Sequence, residues 1–154
     1  MLKVSVETNH VMVDLQELMQ FDINAYGRAS ALIGELHSNQ NTAVGKDLID
    51  QLNIQGRTLN VGGQMLGNCL RLEHEKLHRD LWRLKLWRID NQGRQNLEPY
   101  RIIYGFFQVT QFRKVPEIRI FAVPCRAKEK DDSYDYQHDH PISIRIRGDY
   151  DAHC

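Results

Sequence analysis

The strongest constraint on the fold is a change of period late in the chain. Residues 81–89, LWRLKLWRI, put Leu81, Arg83, Lys85, Trp87 and Ile89 on one side of an extended segment. Trp82, Leu84, Leu86 and Arg88 fall on the other. Residues 100–109, YRIIYGFFQV, are rich in aromatic and β-branched side chains and predict a second strand. Residues 117–123, EIRIFAV, predict a third, ended by Pro124. NQGRQNLEP at 91–99 reads as a connection, and TQFRKVP as a turn-like link. Three strands with short links specify an antiparallel meander.

Earlier, LKVSVE at 2–7 alternates as a short strand. Residues 11–21 fit strand or helix. Residues 22–38 predict a helix capped by Asp22 or Asn24, with Ile23, Ala31, Leu32 and Leu36 as a loose apolar stripe. Residues 43–53 predict a second helix, because Val44, Leu48, Ile49 and Leu52 share a face. Gly62, Gly63 and Gly67 make 54–68 read as loop. The segment from 127 reads as a polar loop, and ISIRIRGDYD as a short strand or edge segment. The expected architecture is α+β: a small antiparallel sheet of three to four strands with two N-terminal helices packed on it. One domain is expected over 1–154, with a helical part at 1–70, a meander at 80–126 and a loop and tail at 127–154.

An apolar content of 42% and a charged content of 26% exclude whole-chain disorder and collagen-like classes. No apolar run approaches the roughly 20 residues that a membrane helix requires. MLKVSVETNH lacks an apolar signal core, so the expected compartment is the cytoplasm. Cys69, Cys125 and Cys154 are odd in number and scattered, which fits a reducing compartment rather than a disulfide scaffold.

A net charge of zero hides a strong asymmetry. Residues 1–70 carry −3, residues 71–130 carry +7 and residues 131–154 carry −4. Concentrated basic charge is the footprint of a polyanion binder, and equally of a solvated charged face. The basic residues fall on the strands. Arg83 and Lys85 project from one face, Arg101 lies on the next strand and Arg126 just past the third. If those strands are neighbours, four cations converge on one surface. Their mutual repulsion favours a bound anion, and phosphate suits the guanidinium fork. Tyr134 and Tyr136 follow nearby and could stack a base or transfer a proton.

In order, DLWRLKLWRI, EPYRIIYGF and EIRIFAVPCRAKEKDDSYDY resemble the bacterial RelE/ParE toxin superfamily, with Tyr100-Arg101-Ile102-Ile103-Tyr104 as the strand signature. The tail HPISIRIRGDYD also resembles those of some relatives. The resemblance spans roughly 80–136. It implies a type II toxin–antitoxin component of RelE-like fold, acting as a messenger-RNA endonuclease, on the ribosome or free. Under it Arg83, Lys85, Arg101 and Arg126 grip phosphate, and Tyr134 or Tyr136 is the terminal tyrosine. Arg88, Arg94, Lys128 and Lys130 would contact RNA. The implied reaction uses no metal or other cofactor. The implied partners are messenger RNA, the ribosome and a cognate antitoxin, with no membrane. The Arg-to-Tyr gap and the 91–99 loop are longer than the family pattern, and the first 70 residues are longer and more acidic. The superfamily also holds gyrase inhibitors, so a toxin that acts on a protein target is the alternative.

A rival motif comes from a different class. His74-Glu75-Lys76-Leu77-His78 matches H-E-x-x-H, the pattern of a zinc hydrolase. Against it, Arg71, Glu73, Lys76 and Arg79 make the segment read as solvated. Leu81 and Leu84 stand where an extended motif needs Gly and His, and Glu98 before Pro99 is a poor third ligand. His138 and His140 are the remaining ligand candidates, and they also suit a loop feature or a general acid–base role. Trp82 and Trp87 suit packing better than base stacking. No phosphate-cradling glycine motif occurs.

Overall fold

A computed structural model describes residues 2–38, 40, 47, 50–52, 54, 56, 58–61, 65–72, 79–125 and 141–154. Its elements run β1 (Lys3–Val6), α1 (Thr8–Phe21), α2 (Ile23–Ser38), β2 (Thr58–Val61), β3 (Met65–Arg71), β4 (Leu81–Ile89), β5 (Gln95–Phe107), β6 (Glu117–Ala122) and α3 (Pro141–His153). The fold is α+β.

One six-stranded sheet has the order β1-β6-β5-β4-β3-β2. β2 to β6 pair antiparallel with their neighbours, whereas β1 pairs parallel with β6. The sheet is therefore larger than the three to four strands expected, and mixed rather than wholly antiparallel. The parallel pair follows from the chain path. α1 and α2 follow β1, so it is not hairpin-linked to its neighbour and can run along β6 in the same direction.

The ambiguous segment 11–21 is helical. Val11, Asp14 and Leu18 bury one face at helical spacing, and the Glu7 carboxylate accepts from the His10 backbone N–H at 2.8 Å as an N-cap. Asp22 then ends α1 and caps α2, accepting from the N–H groups of Asn24 and Ala25 at 3.1 Å each. α2 buries Ala25, Ala29, Leu32 and Leu36. The helix predicted over 43–53 lies mostly outside the described residues.

Three expectations are overturned. The loop expected over 54–68 contains β2 and most of β3. Gly67 sits inside β3 opposite Leu86, and the edge of β4 supplies a ladder that outweighs its low strand propensity. The connection expected at 91–99 is mostly strand. Its turn tightens to Asp90–Arg94, where Asp90 N–H donates to the Arg94 carbonyl at 2.9 Å and Gly93 takes φ 77°. The tail expected as a strand is α3. Its I-S-I-R-I-R run alternates, but Ser143, Ile146 and Tyr150 recur at helical spacing and are the residues buried. Pro141 opens the helix, where its missing N–H costs nothing.

The helices divide between the faces of the sheet. α1 and α2 cover one face, where Trp82, Leu84, Leu86, Tyr100, Ile102, Tyr104, Ile118 and Ile120 join Leu18, Ala25 and Leu32 in one core. α3 covers part of the other, packing Ile146 and Tyr150 on Leu81, Ile103, Phe107 and Phe121. Gly105 lets it approach, since a Cβ there would lie 3.0 Å from the Tyr150 ring and 3.1 Å from the Phe121 ring. α3 is thus C-terminal, an element absent from the expected two-helix layer.

Candidate functional site

The geometry of the basic strands turns on one irregularity. Lys85 is the Cα partner of Arg101, yet Trp87 is the partner of Leu97. Glu98, Pro99 and Tyr100 therefore stand opposite Leu86 alone. Pro99 has no N–H to give the ladder, so the strand bulges there. The bulge throws the Glu98 carboxylate toward α2, where Arg28 holds it with two bonds of 2.8 and 2.7 Å. That hydrogen-bonded pairing, opposed by partial burial, raises the Arg28 pKa further. Arg101 stitches the same bulge from within, its Nη1 donating to the carbonyls of Glu98 at 3.2 Å and Tyr100 at 3.1 Å.

With the register so fixed, Arg83, Lys85 and Arg101 share the face opposite α1 and α2. Leu84 and Leu86 alternate to the other side. Residues directly opposed on antiparallel strands hold their Cβ atoms about 5 Å apart, so the side chains of Lys85 and Arg101 leave the sheet side by side. Asn68 and Leu70 on β3 are the partners of Lys85 and Arg83. The Lys85 Nζ lies 5.4 Å from the centre of the Trp87 ring, in cation–π range. Burial is uneven across the set. Arg101 is 1% exposed, Arg83 is buried at 8%, and Lys85 is half-buried. Such a row can stabilise negative charge developing on an anion that reaches it.

The other sequence-derived candidates spread more widely. Arg88 follows Leu86 onto the α2 side, where it lines a groove of about 880 Å³ with Asn24, Arg28, Asn96 and Glu98. It is not on the surface of Lys85 and Arg101. Arg94 sits in the β4–β5 turn, its Nε 2.9 Å from Asp90. Arg126, Lys128, Lys130, Tyr134, Tyr136, His138 and His140 lie outside the described residues, as do His74, Glu75 and His78. The chain leading to Arg126 does pass the site: Arg101 N–H donates to the Pro124 carbonyl at 3.2 Å, and Tyr100 bridges Cys125.

Tyr100 and Tyr104, from the signature run, point into the core. Burial, and for Tyr100 also the Glu98 charge, raises both phenols well above their ordinary value, so neither is an ionisable base. The Tyr104 hydroxyl donates to the Leu52 carbonyl at 2.6 Å. Sequence reasoning missed the Arg28–Glu98 pair that sets the bulge. Its one signal is a Glu-Pro inside an otherwise strand-like run. Among the described residues no helix is long and apolar enough to cross a membrane. No family matches the sequence, and neither a curated protein nor a solved structure matches the chain.

Proposed function

We propose that this chain is a RelE-like toxin of a type II toxin–antitoxin pair, a metal-independent endonuclease of messenger RNA acting on the ribosome or free. The observation that carries the reading is the register of β4 on β5. It sets Lys85 against Arg101, with Arg83 on the same face, as a phosphate-gripping row requires. α1 and α2, packed on the opposite face ahead of the meander, also support it. In the proposed reaction the ribose 2′-oxygen attacks its own 3′-phosphate. The new P–O2′ bond forms as the P–O5′ bond breaks, leaving a 2′,3′-cyclic phosphate and a 5′-hydroxyl. The 2′-OH proton goes to a general base, and the 5′-oxygen takes one from a general acid, the role proposed for Tyr134 or Tyr136. Cations stabilise the dianionic pentacoordinate phosphate, and Arg126 belongs to that set. The cognate antitoxin would cover the basic face.

One observation favours the second reading, a superfamily toxin that inhibits a protein target such as gyrase. Arg101 is 1% exposed and its Nη1 is committed to two carbonyls, which is the work of a structural arginine. Inducible expression, with and without the neighbouring open reading frame, separates the two. The nuclease arrests growth and degrades messenger RNA, and co-expression of the antitoxin reverses both effects. Arrest with intact messenger RNA selects the protein-target reading.

A further inference from the structure

One side-chain cluster outside the basic row gathers groups that ligate metals. Glu7 caps α1, His10 stands three residues on, and Asp149 lies on α3. Asp149 is 139 residues from His10 in the chain, so it is the docking of α3 that brings it there. One ligand atom from each residue lies within 4.8 Å of the other two. His10 Nδ1 stands 2.6 Å from Asp149 Oδ2 and 3.5 Å from Glu7 Oε2.

The charge in this cluster favours a cation. Two carboxylates converge on one imidazole, and like charges so close repel. Arg145 is a cation whose charge reaches both, yet its guanidinium is bonded to Asp14. The side-chain bonds of the three residues stay within the cluster. Glu7 Oε2 takes the His10 backbone N–H at 2.8 Å, and Asp149 Oδ2 meets the His10 ring. Glu7 Oε1 and Asp149 Oδ1 take no bond among the described residues. An ion arriving between these groups therefore displaces no outside partner.

We propose that Glu7, His10 and Asp149 bind a zinc ion that ties α3 to the start of α1. Zinc takes imidazole nitrogen and carboxylate oxygen at about 2.0–2.2 Å in a tetrahedron, which sets any two ligand atoms about 3.3–3.5 Å apart. The separation of His10 from Glu7 already has that value. The contact of His10 with Asp149 opens by about 0.8 Å as the metal replaces the proton between Nδ1 and Oδ2, and that proton leaves for solvent. Water takes the fourth position. The imidazole ligand selects zinc over magnesium or calcium. The His10 side chain is 41% exposed against 17% for Glu7 and 19% for Asp149, so the ion has a way in to sheltered carboxylates. None of the three residues belongs to the Lys85–Arg101 row.

Calorimetric titration of zinc chloride into the whole chain, first stripped by chelator and dialysed, tests the site. One equivalent is expected to bind, and magnesium chloride is expected to give no binding heat. Hydrogen exchange of the native chain should slow with zinc in the first turn of α1 and along Pro141–His153, and stay unchanged along α2. His10→Gln and Asp149→Asn are each expected to weaken binding at least about tenfold, because each removes a ligand with little change of size. His74→Ala and Lys85→Ala are expected to leave it unchanged. The first separates this site from the H-E-x-x-H segment, and the second keeps failure here distinct from failure of the nuclease reading. If a ligand variant loses its cooperative transition, the exchange pattern of the native chain decides. No binding of zinc, protection that spares α1 and α3, undiminished binding in a folded ligand variant, or loss of binding in either control would overturn the proposal.

Discussion

Under α1 and α2 the sheet presents Leu84, Leu86, Tyr100, Ile102 and Ile120 to helix side chains that are almost wholly apolar. On the other face, which α3 covers in part, the same strands present Arg83, Lys85, Arg101 and Arg119 beside a small aromatic cluster. α3, packed through Ile146 and Tyr150, is also tied down by charge. Arg145 grips Asp14 with two bonds of 2.9 and 2.7 Å, Asp149 meets His10 at 2.6 Å, Asp151 holds Arg79, and His153 meets Glu117 at 2.8 Å. The two faces teach a division of labour. Apolar burial dominates on one side, while the other sets cations, Arg101 among them holding the β5 bulge, beside a smaller apolar cluster.

Substitutions on the two faces should therefore differ in kind. The largest loss is expected from Leu84→Ala, about 2–5 kcal/mol in urea unfolding, because a 1% exposed leucine leaves a cavity under both helices. A cost below that of surface substitutions would break the comparison. Glu98→Ala should follow at roughly 1–3 kcal/mol, since Arg28 is only partly exposed and loses its bidentate partner. The bulge should relax with it, read as new exchange at the amides of Tyr100 and Arg101. Gly105→Ala should cost about 1–3 kcal/mol by overpacking, concentrated on α3. Hydrogen exchange should quicken along Pro141–His153 and stay unchanged along α2; equal loosening of both would remove the distinction between the faces.

The pH response refines the picture of how α3 is held. Burial opposes ionisation of Glu117, yet bonds from Ser5 and His153 hold its carboxyl below the usual range. Its proton thus binds more readily in the unfolded chain. The stability that Glu117 contributes is full above the ordinary glutamate value of about 4.3 and drains away as pH falls through the folded value. The unfolding free energy of the native chain relative to Glu117→Gln should shrink as pH is lowered from about 7 to 3. A difference that grows with acid contradicts the assignment.

The meander was legible because alternation in LWRLKLWRI assigns each residue a face, and β4 has the bounds that the sequence predicts. Parity also placed Arg83 and Lys85 together. It could not place Arg101 against Lys85, which depends on the bulge at Pro99 and on a salt bridge reaching across to α2. β3 was hidden by its glycine-rich approach, since its strand character comes from pairing with β4. α3 was hidden because I-S-I-R-I-R carries a two-residue period, while its helical face is defined by partners more than a hundred residues away, such as Asp14 and His10.

The smallest expected change in stability is also the sharpest test of function. Lys85→Ala should alter unfolding by no more than about 0.5 kcal/mol, as it removes a half-buried cation facing another. Cleavage of a defined messenger RNA in excess EDTA, with ribosomes present and absent, should then be compared between the native chain and this variant. The account predicts fragments ending in 2′,3′-cyclic phosphate from the native chain, and loss of cleavage in a variant that stays folded. Intact RNA under both conditions with the native chain, or undiminished cleavage by Lys85→Ala, would contradict it.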